Sequence, residues 1–160
     1  VSTVALDRLE RAIEAVSAVP DPEIPVVTIA DLGMVRAVRL AADGAVEVDL
    51  TPTYTGCPAT RAIAEEVRAA LAAAGIAEAR VNLVLSPAWT TDWITPEGRA
   101  ALRRYGIAPP PPRADPDAPV ACPRCGSTET EEISRFGSTP CKALWRCRTC
   151  REPFDRFKCL

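Results

Sequence analysis

Helix, two strands, helix, strand, helix is the order read along the first part of the chain. A proline-rich stretch and two matched Cys-x-x-Cys pairs follow. Together they predict an α+β protein, a small mixed sheet covered by helices, with a C-terminal four-cysteine zinc ribbon. Apolar periodicity carries the first half of that reading and cysteine spacing the second. At 160 residues there is room for one modest domain and a small appendage, which sets residues 1–108 as the α+β domain, 109–119 as a linker and 120–160 as the ribbon.

Leu6, Leu9, Ile13 and Val16 recur at helical spacing among charged neighbours, so the chain opens with an amphipathic helix that Pro20 and Pro22 stop. After the loop "PDPEIPVV" comes a hairpin, Val35 to Leu40 and Val46 to Leu50, turning at Asp43-Gly44. In its second strand Val46, Val48 and Leu50 alternate with Glu47 and Asp49. Pro58 suits a helix start, and Ile63, Val67, Ala70, Leu71 and Ala74 make a stripe that ends at Gly75. "ARVNLVLSP" reads as a strand with Val81, Leu83 and Leu85 on one face. Thr95 and Pro96 read as the cap and first residue of a short helix running to Arg104. Six prolines among residues 109–119 favour an extended, semi-rigid linker.

Hydrophobic residues at 48% and charged residues at 25% place the chain among folded globular proteins. A net charge of −2 gives no general reason to expect a nucleic acid or an anionic membrane as partner. Residues 120–160 carry eight basic and five acidic groups, against ten and fourteen in residues 1–108, so the tail is only mildly basic. No apolar run is long enough to span a bilayer, and acids occupy the opening where a signal peptide has a basic and then an apolar stretch. The chain therefore reads as cytoplasmic, where paired cysteines point to metal or redox chemistry before disulfides.

The pairs are Cys122-Pro-Arg-Cys125-Gly126 and Cys147-Arg-Thr-Cys150, with 21 residues between them, enough for one hairpin returning the second pair to the first. Two-residue spacing lets both thiolates of a pair reach one ion while turn amides point at the sulfurs. A segment of about forty residues cannot build a self-sufficient core, so the ion is needed for folding. Zinc is the usual ion of a closed four-thiolate site, and a single rubredoxin-like iron is the other that fits. Cys141 and Cys159 are left over, as packed thiols, substitute ligands or a second soft site. Lys142, Arg146, Arg148, Arg151, Arg156 and Lys158 are interleaved with Trp145, Phe154 and Phe157, either as a binding face or as a solvated rim around a small aromatic core.

In "TPTYTGCPATRA", Cys57 falls where a strand ends and a helix begins. Helix-end amides and the helix dipole there should make its thiolate easier to form than in free cysteine. The bland alternative is a packed thiol. Asp21 and Glu23 in "DPEIP" and Asp31 in "DLG" would offer hard oxygen ligands beside this soft sulfur if the fold joins the loops. Equally, Asp21 can cap a turn begun by Pro22, and Asp31-Leu-Gly33 can be a tight turn. With no histidine, a Cys-His or Ser-His-Asp nucleophilic apparatus is excluded, and there is no phosphate-cradling glycine loop. Trp89 and Trp93 in "PAWTTDWIT" read as packing of the last loop on the core or as a docking surface, with no catalytic role.

"DPEIPVVTIADLGMVRAV" followed by "TPTYTGCPA" resembles the SufT-type iron–sulfur assembly and cluster-targeting family. "SPAWTTDWITPEGRAALRRYGIAPP" and "STPCKALWRCRTCREPFDRFKC" look like the PaaD (PaaJ) family, small subunits encoded with phenylacetyl-CoA epoxidase, a bacterial multicomponent oxygenase of phenylacetate degradation. The resemblance implies an accessory, non-catalytic role in maturing or maintaining the oxygenase's di-iron centre or the iron–sulfur cluster of its reductase. It implies epoxidase subunits or the reductase as partners, and transient iron or an iron–sulfur cluster as cargo. The family's cysteine motif falls on Cys57 and its acidic motif on Asp21 and Glu23. A structural subunit with no handling role and a rubredoxin-like electron-transfer component are the alternatives.

Overall fold

A computed structural model describes residues 3–111, 115 and 117–158. The chain divides into two compact units between Trp89 and Thr90.

The first unit contains α1 (Thr3–Ser17), β1 (Val35–Leu40), β2 (Val46–Leu50), α2 (Ala59–Ala73) and β3 (Ala79–Leu83). The sheet order is β1-β2-β3, with β1 and β2 antiparallel and β2 and β3 parallel, so the mixed sheet expected from the sequence is present. The parallel pair follows from α2, because two parallel neighbours need a crossover and the helix supplies it. Val46, Val48 and Leu50 are buried on one face of β2, opposite a charged face. There Arg39 pairs with Glu47 and Asp49, Arg80 pairs with Asp43 and Glu47, and Asn82 Nδ2 donates to Asp49 Oδ1 at 3.0 Å. Ile63, Val67 and Leu71 of α2 are buried as its stripe requires, and Gly75, at φ +78°, ends the helix in the left-handed region that glycine tolerates.

Two details differ from the sequence reading. In α1 the buried residues are Ala12 and Val16, while Leu6 and Ile13 stay 49% and 44% exposed. Val16 is buried as the stripe predicts and Leu9 is half-buried, while Ala12 takes the other buried place on the helix, which contacts α2 and β1. Strand β3 ends at Leu83, short of Leu85, and Leu83 and Leu85, read on one face with Val81, are exposed.

The second unit opens with a single 3-10 turn (Thr91–Trp93) and α3 (Pro96–Tyr105). Thr95 caps α3 by accepting from the Gly98 amide at 3.0 Å, and Gly106 closes it at φ +94°. Then come β4 (Ile107–Ala108), β5 (Thr130–Ser134), β6 (Lys142–Cys147) and β7 (Pro153–Phe157), in the sheet order β4-β7-β6-β5. The compact unit that holds the ribbon thus begins ahead of it, at Thr90. The physical reason is β4, which pairs parallel with β7 and takes α3 with it into the ribbon's unit. Of the expected linker, Pro110 is held by its carbonyl on Arg99, and residues 112–114 and 116 lie outside the described residues. Ala108, Val120, Cys122, Cys147 and Phe154 form the ribbon's buried cluster, with Trp145 packed against it. Among the described residues no helix is long and apolar enough to cross a membrane.

Candidate metal centre and cysteine loop

The β5–β6 hairpin returns the second knuckle to the first, as the spacing predicts. Cys122 Sγ lies 3.7 Å from Cys150 Sγ, Cys125 Sγ lies 3.6 Å from Cys147 Sγ, and all four sulfurs lie within 4.8 Å of one another. Four sulfurs about 2.3 Å from a tetrahedral zinc stand about 3.8 Å apart, so donor set and spacing both fit a single ion. Hydrogen bonds also tie the knuckles. The Ser127 and Thr149 hydroxyls are 2.8 Å apart, the Arg148 amide donates to Glu129 O at 2.7 Å, and the Cys122 amide donates to Ser127 O at 2.9 Å.

The thiols differ in acidity. Hydrogen bonds from the Cys150 amide, and then the Thr149 amide, lower the Cys147 thiol to about 6. At Cys150 the Glu152 amide also favours the thiolate, but desolvation and the sulfurs of Cys147, Cys125 and Cys122 prevail and push it up to about 12. One thiolate forms readily and the last resists, because four negative sulfurs need a cation among them. When bound, zinc would supply that charge and fix the two knuckles as one turn-to-turn brace, held by Cys122, Cys125, Cys147 and Cys150.

Both knuckles require a left-handed residue after their second cysteine. Gly126 fills it at φ +77° in the first, and Arg151 at φ +65° in the second, at a cost of roughly 1–2 kcal/mol for a side chain with a Cβ. Cys141 is buried outside the four-sulfur group with Thr139 Oγ1 3.1 Å from its sulfur, and Cys159 lies outside the described residues. Of the expected basic–aromatic face, Arg156 stacks on Trp145 at 4.9 Å and Lys142 is buried beside Asp155 at 3.5 Å. The sequence reading missed Glu131, which bridges Arg146 and Arg148. Its place opposite Arg146 is set by the register of the β5–β6 pair, which the knuckle spacing alone does not fix.

In the first unit, Cys57 precedes α2, its amide donating to Tyr54 O at 3.0 Å and its carbonyl accepting from Thr60 N at 3.2 Å. A Cβ at Gly56 would meet the exposed Tyr54 ring at 3.0 Å, a contact that a small shift of the ring relieves. Asp21, 7% exposed, accepts from the Glu23 and Ile24 amides at 2.9 and 2.8 Å, the cap its sequence suggested. Asp31 and Thr28 cap one another, Asp31 Oδ2 accepting from Thr28 N and Thr28 Oγ1 from Asp31 N, each at 3.0 Å. The fold brings Asp21 and Glu23 within electrostatic reach of the Cys57 sulfur.

That proximity corrects the expectation of an easily formed thiolate. Burial raises the Cys57 pKa above the ordinary thiol value. The Ala59 amide opposes this, as the helix-end argument requires, but the charges of Glu23 and Asp21 add to the rise. A raised pKa leaves less thiolate at neutral pH. Cys57 should therefore be alkylated by iodoacetamide severalfold more slowly than free cysteine, and Glu23→Gln should speed it, as peptide-resolved mass spectrometry would measure. Thr51 Oγ1, where β2 gives way to the loop carrying Cys57, is buried without a hydrogen-bond partner among the described residues.

Residues 108–158 match the PaaD zinc beta ribbon domain family, and residues 9–83 match the iron-sulfur cluster assembly protein family. A protein of Escherichia coli, provisionally named as one of the subunits of 1,2-phenylacetyl-CoA epoxidase, is 51% identical over 162 residues, covering 99% of this chain and 98% of its own. The chain belongs to the PaaD family. Part of a PaaD chain is also similar to smaller proteins. The Fe-S protein maturation auxiliary factor SufT of Staphylococcus aureus is 38% identical over 83 residues, covering 51% of this chain and 93% of its own. A solved domain of unknown function from Bacillus anthracis, 27% identical, superposes with a TM-score of 0.56 over 61% of this chain and 92% of its own. A PaaD chain is therefore an assembly-type domain carried together with a zinc ribbon.

Proposed function

We propose that the chain is a non-catalytic accessory subunit of phenylacetyl-CoA epoxidase, acting in the cytoplasm on the epoxidase subunits or their reductase. Its task is to mature or maintain the oxygenase's di-iron or iron–sulfur centre. Cys57, with Asp21 and Glu23, handles iron or a cluster in transit, and Asp31 shapes the same loop. The ribbon, braced by its four cysteines, is the part that engages the client. The observation carrying this reading is the Cys57 sulfur set in the field of Asp21 and Glu23, inside the segment that matches the iron–sulfur cluster assembly family.

The chemistry suits cargo in transit. A thiol held largely protonated, with carboxylates beside it, offers one soft and two hard donors to an incoming cation, and the cation itself favours the thiolate while bound. With the cation gone the proton returns, and the site does not keep its cargo.

Cys57→Ser, in cells making the whole epoxidase, should lower the iron content of the purified oxygenase severalfold while this chain stays folded and in place. Unchanged iron loading and epoxidase activity would leave a structural subunit as the role.

A further inference from the structure

Beside the second knuckle lies a hollow of about 550 Å³ lined by Glu131, Arg146, Cys147, Arg148 and Arg151. We propose that it docks an acidic segment of a partner protein, with Arg146, Arg148 and Arg151 receiving its carboxylates.

Glu131 already displays the mode of recognition. Its Oε1 accepts from Arg146 Nε at 3.1 Å and its Oε2 from Arg148 Nε at 3.0 Å, so two guanidinium forks converge on one carboxylate. Three positive groups against one negative leave a surplus, and the Arg146 and Arg148 side chains are more than half exposed. Arg151 makes no hydrogen bond or ion pair with any described residue. It also occupies the left-handed position that glycine fills in the sister knuckle, where glycine would relieve the backbone. An unpaired arginine held against its backbone preference at the rim of a positive hollow is a recognition group in search of an anion.

The surroundings favour a protein carboxylate over nucleic acid. Glu129 and Glu132 flank Glu131 in sequence, and Glu152 follows Arg151, so a continuous run of phosphates would meet acids on either side. No aromatic side chain lines the hollow for a base to stack on. A separated carboxylate on an acidic segment meets the guanidinium groups without those penalties. This inference rests on the accessory reading only in requiring a partner, and the iron-loading experiment with Cys57→Ser tests that reading separately.

The test uses the full, metal-loaded chain and a fluorescein-labelled Gly-Ser peptide carrying glutamates spaced several residues apart, read by anisotropy at low and high salt. Saturable binding that weakens with salt is expected, reduced about tenfold or more by Arg151→Glu. Arg151→Gly should weaken it severalfold while metal content is kept and the thermal midpoint holds or rises. Glu131→Gln removes the built-in competitor and should tighten binding severalfold, which loss of a merely structural ion pair would not do. Absence of saturable binding, equal binding by all variants, or tighter binding of a labelled oligothymidylate of equal charge would each overturn the proposal.

Discussion

Removing the ion by chelation, or replacing Cys147 with serine, should unfold the ribbon while leaving the β1–β3 sheet and its helices intact. Two of the five side chains in the ribbon's buried cluster, Cys122 and Cys147, are themselves ligands, so the site and the core are the same object. Against that small cluster, metal binding contributes on the order of 10–16 kcal/mol of folding free energy. The first unit has its own core, in which Val46, Val48, Ile63, Val67 and Leu71 are nearly fully buried. Amide dispersion in an NMR spectrum separates the two, with the signals of residues 120–158 collapsing and those of the first unit persisting. Cys141→Ser is the matched control, a buried thiol outside the four-sulfur group, and should cost only about 1–3 kcal/mol. A ribbon that stays dispersed without metal would refute the argument. Elemental analysis of the released ion is expected to give zinc, and a coloured, iron-loaded chain would make the ribbon an electron-transfer site instead.

What was legible in the sequence follows from how local each signal is. β2 announces itself because alternation is a property of five consecutive residues. The start of α3 is two residues, the Thr95 cap and Pro96, whose roles are fixed by backbone geometry at their own positions. The four-sulfur site was legible because each pair is local and only one hairpin separates them. β4 could not be read. It is two residues long and becomes a strand only through β7, pairing Ile107 with Asp155 and Ala108 with Arg156. The stripe on α1 was legible in part, since Val16 is buried as its spacing suggests while Leu6 and Ile13 stay exposed and Ala12, too small to mark a stripe, is buried. At Cys57 the dipole argument had the right sign for its own contribution. It could not weigh the burial or the two carboxylates that a loop more than thirty residues earlier in the chain brings to the sulfur.

That acidic loop is braced by Trp89, and Trp89→Ala should be the most damaging single change in the first unit. The ring is 6% exposed, and its Nε1 donates to Leu32 O at 2.7 Å, on the turn that carries Asp31 and Gly33. Loss of a buried tryptophan costs about 3–5 kcal/mol. Trp89→Phe keeps most of the ring but strands the Leu32 carbonyl, and should cost about 1–3 kcal/mol in urea unfolding. The consequence extends to the cysteine loop. The turn at 28–34 is closed by the Leu32, Gly33 and Met34 amides, and its residue Ile29 donates back to Val19, one bond before the segment that holds Asp21 and Glu23. Loosening the turn should let those carboxylates drift from Cys57, expose the sulfur and lower its pKa, so Trp89→Phe should speed iodoacetamide alkylation at Cys57 under conditions where the chain remains folded. If stability falls and alkylation does not change, Trp89 holds the core alone. If neither changes, the Trp89–Leu32 bond does not brace the turn, and the positioning of the acids must come from the Asp21 cap itself.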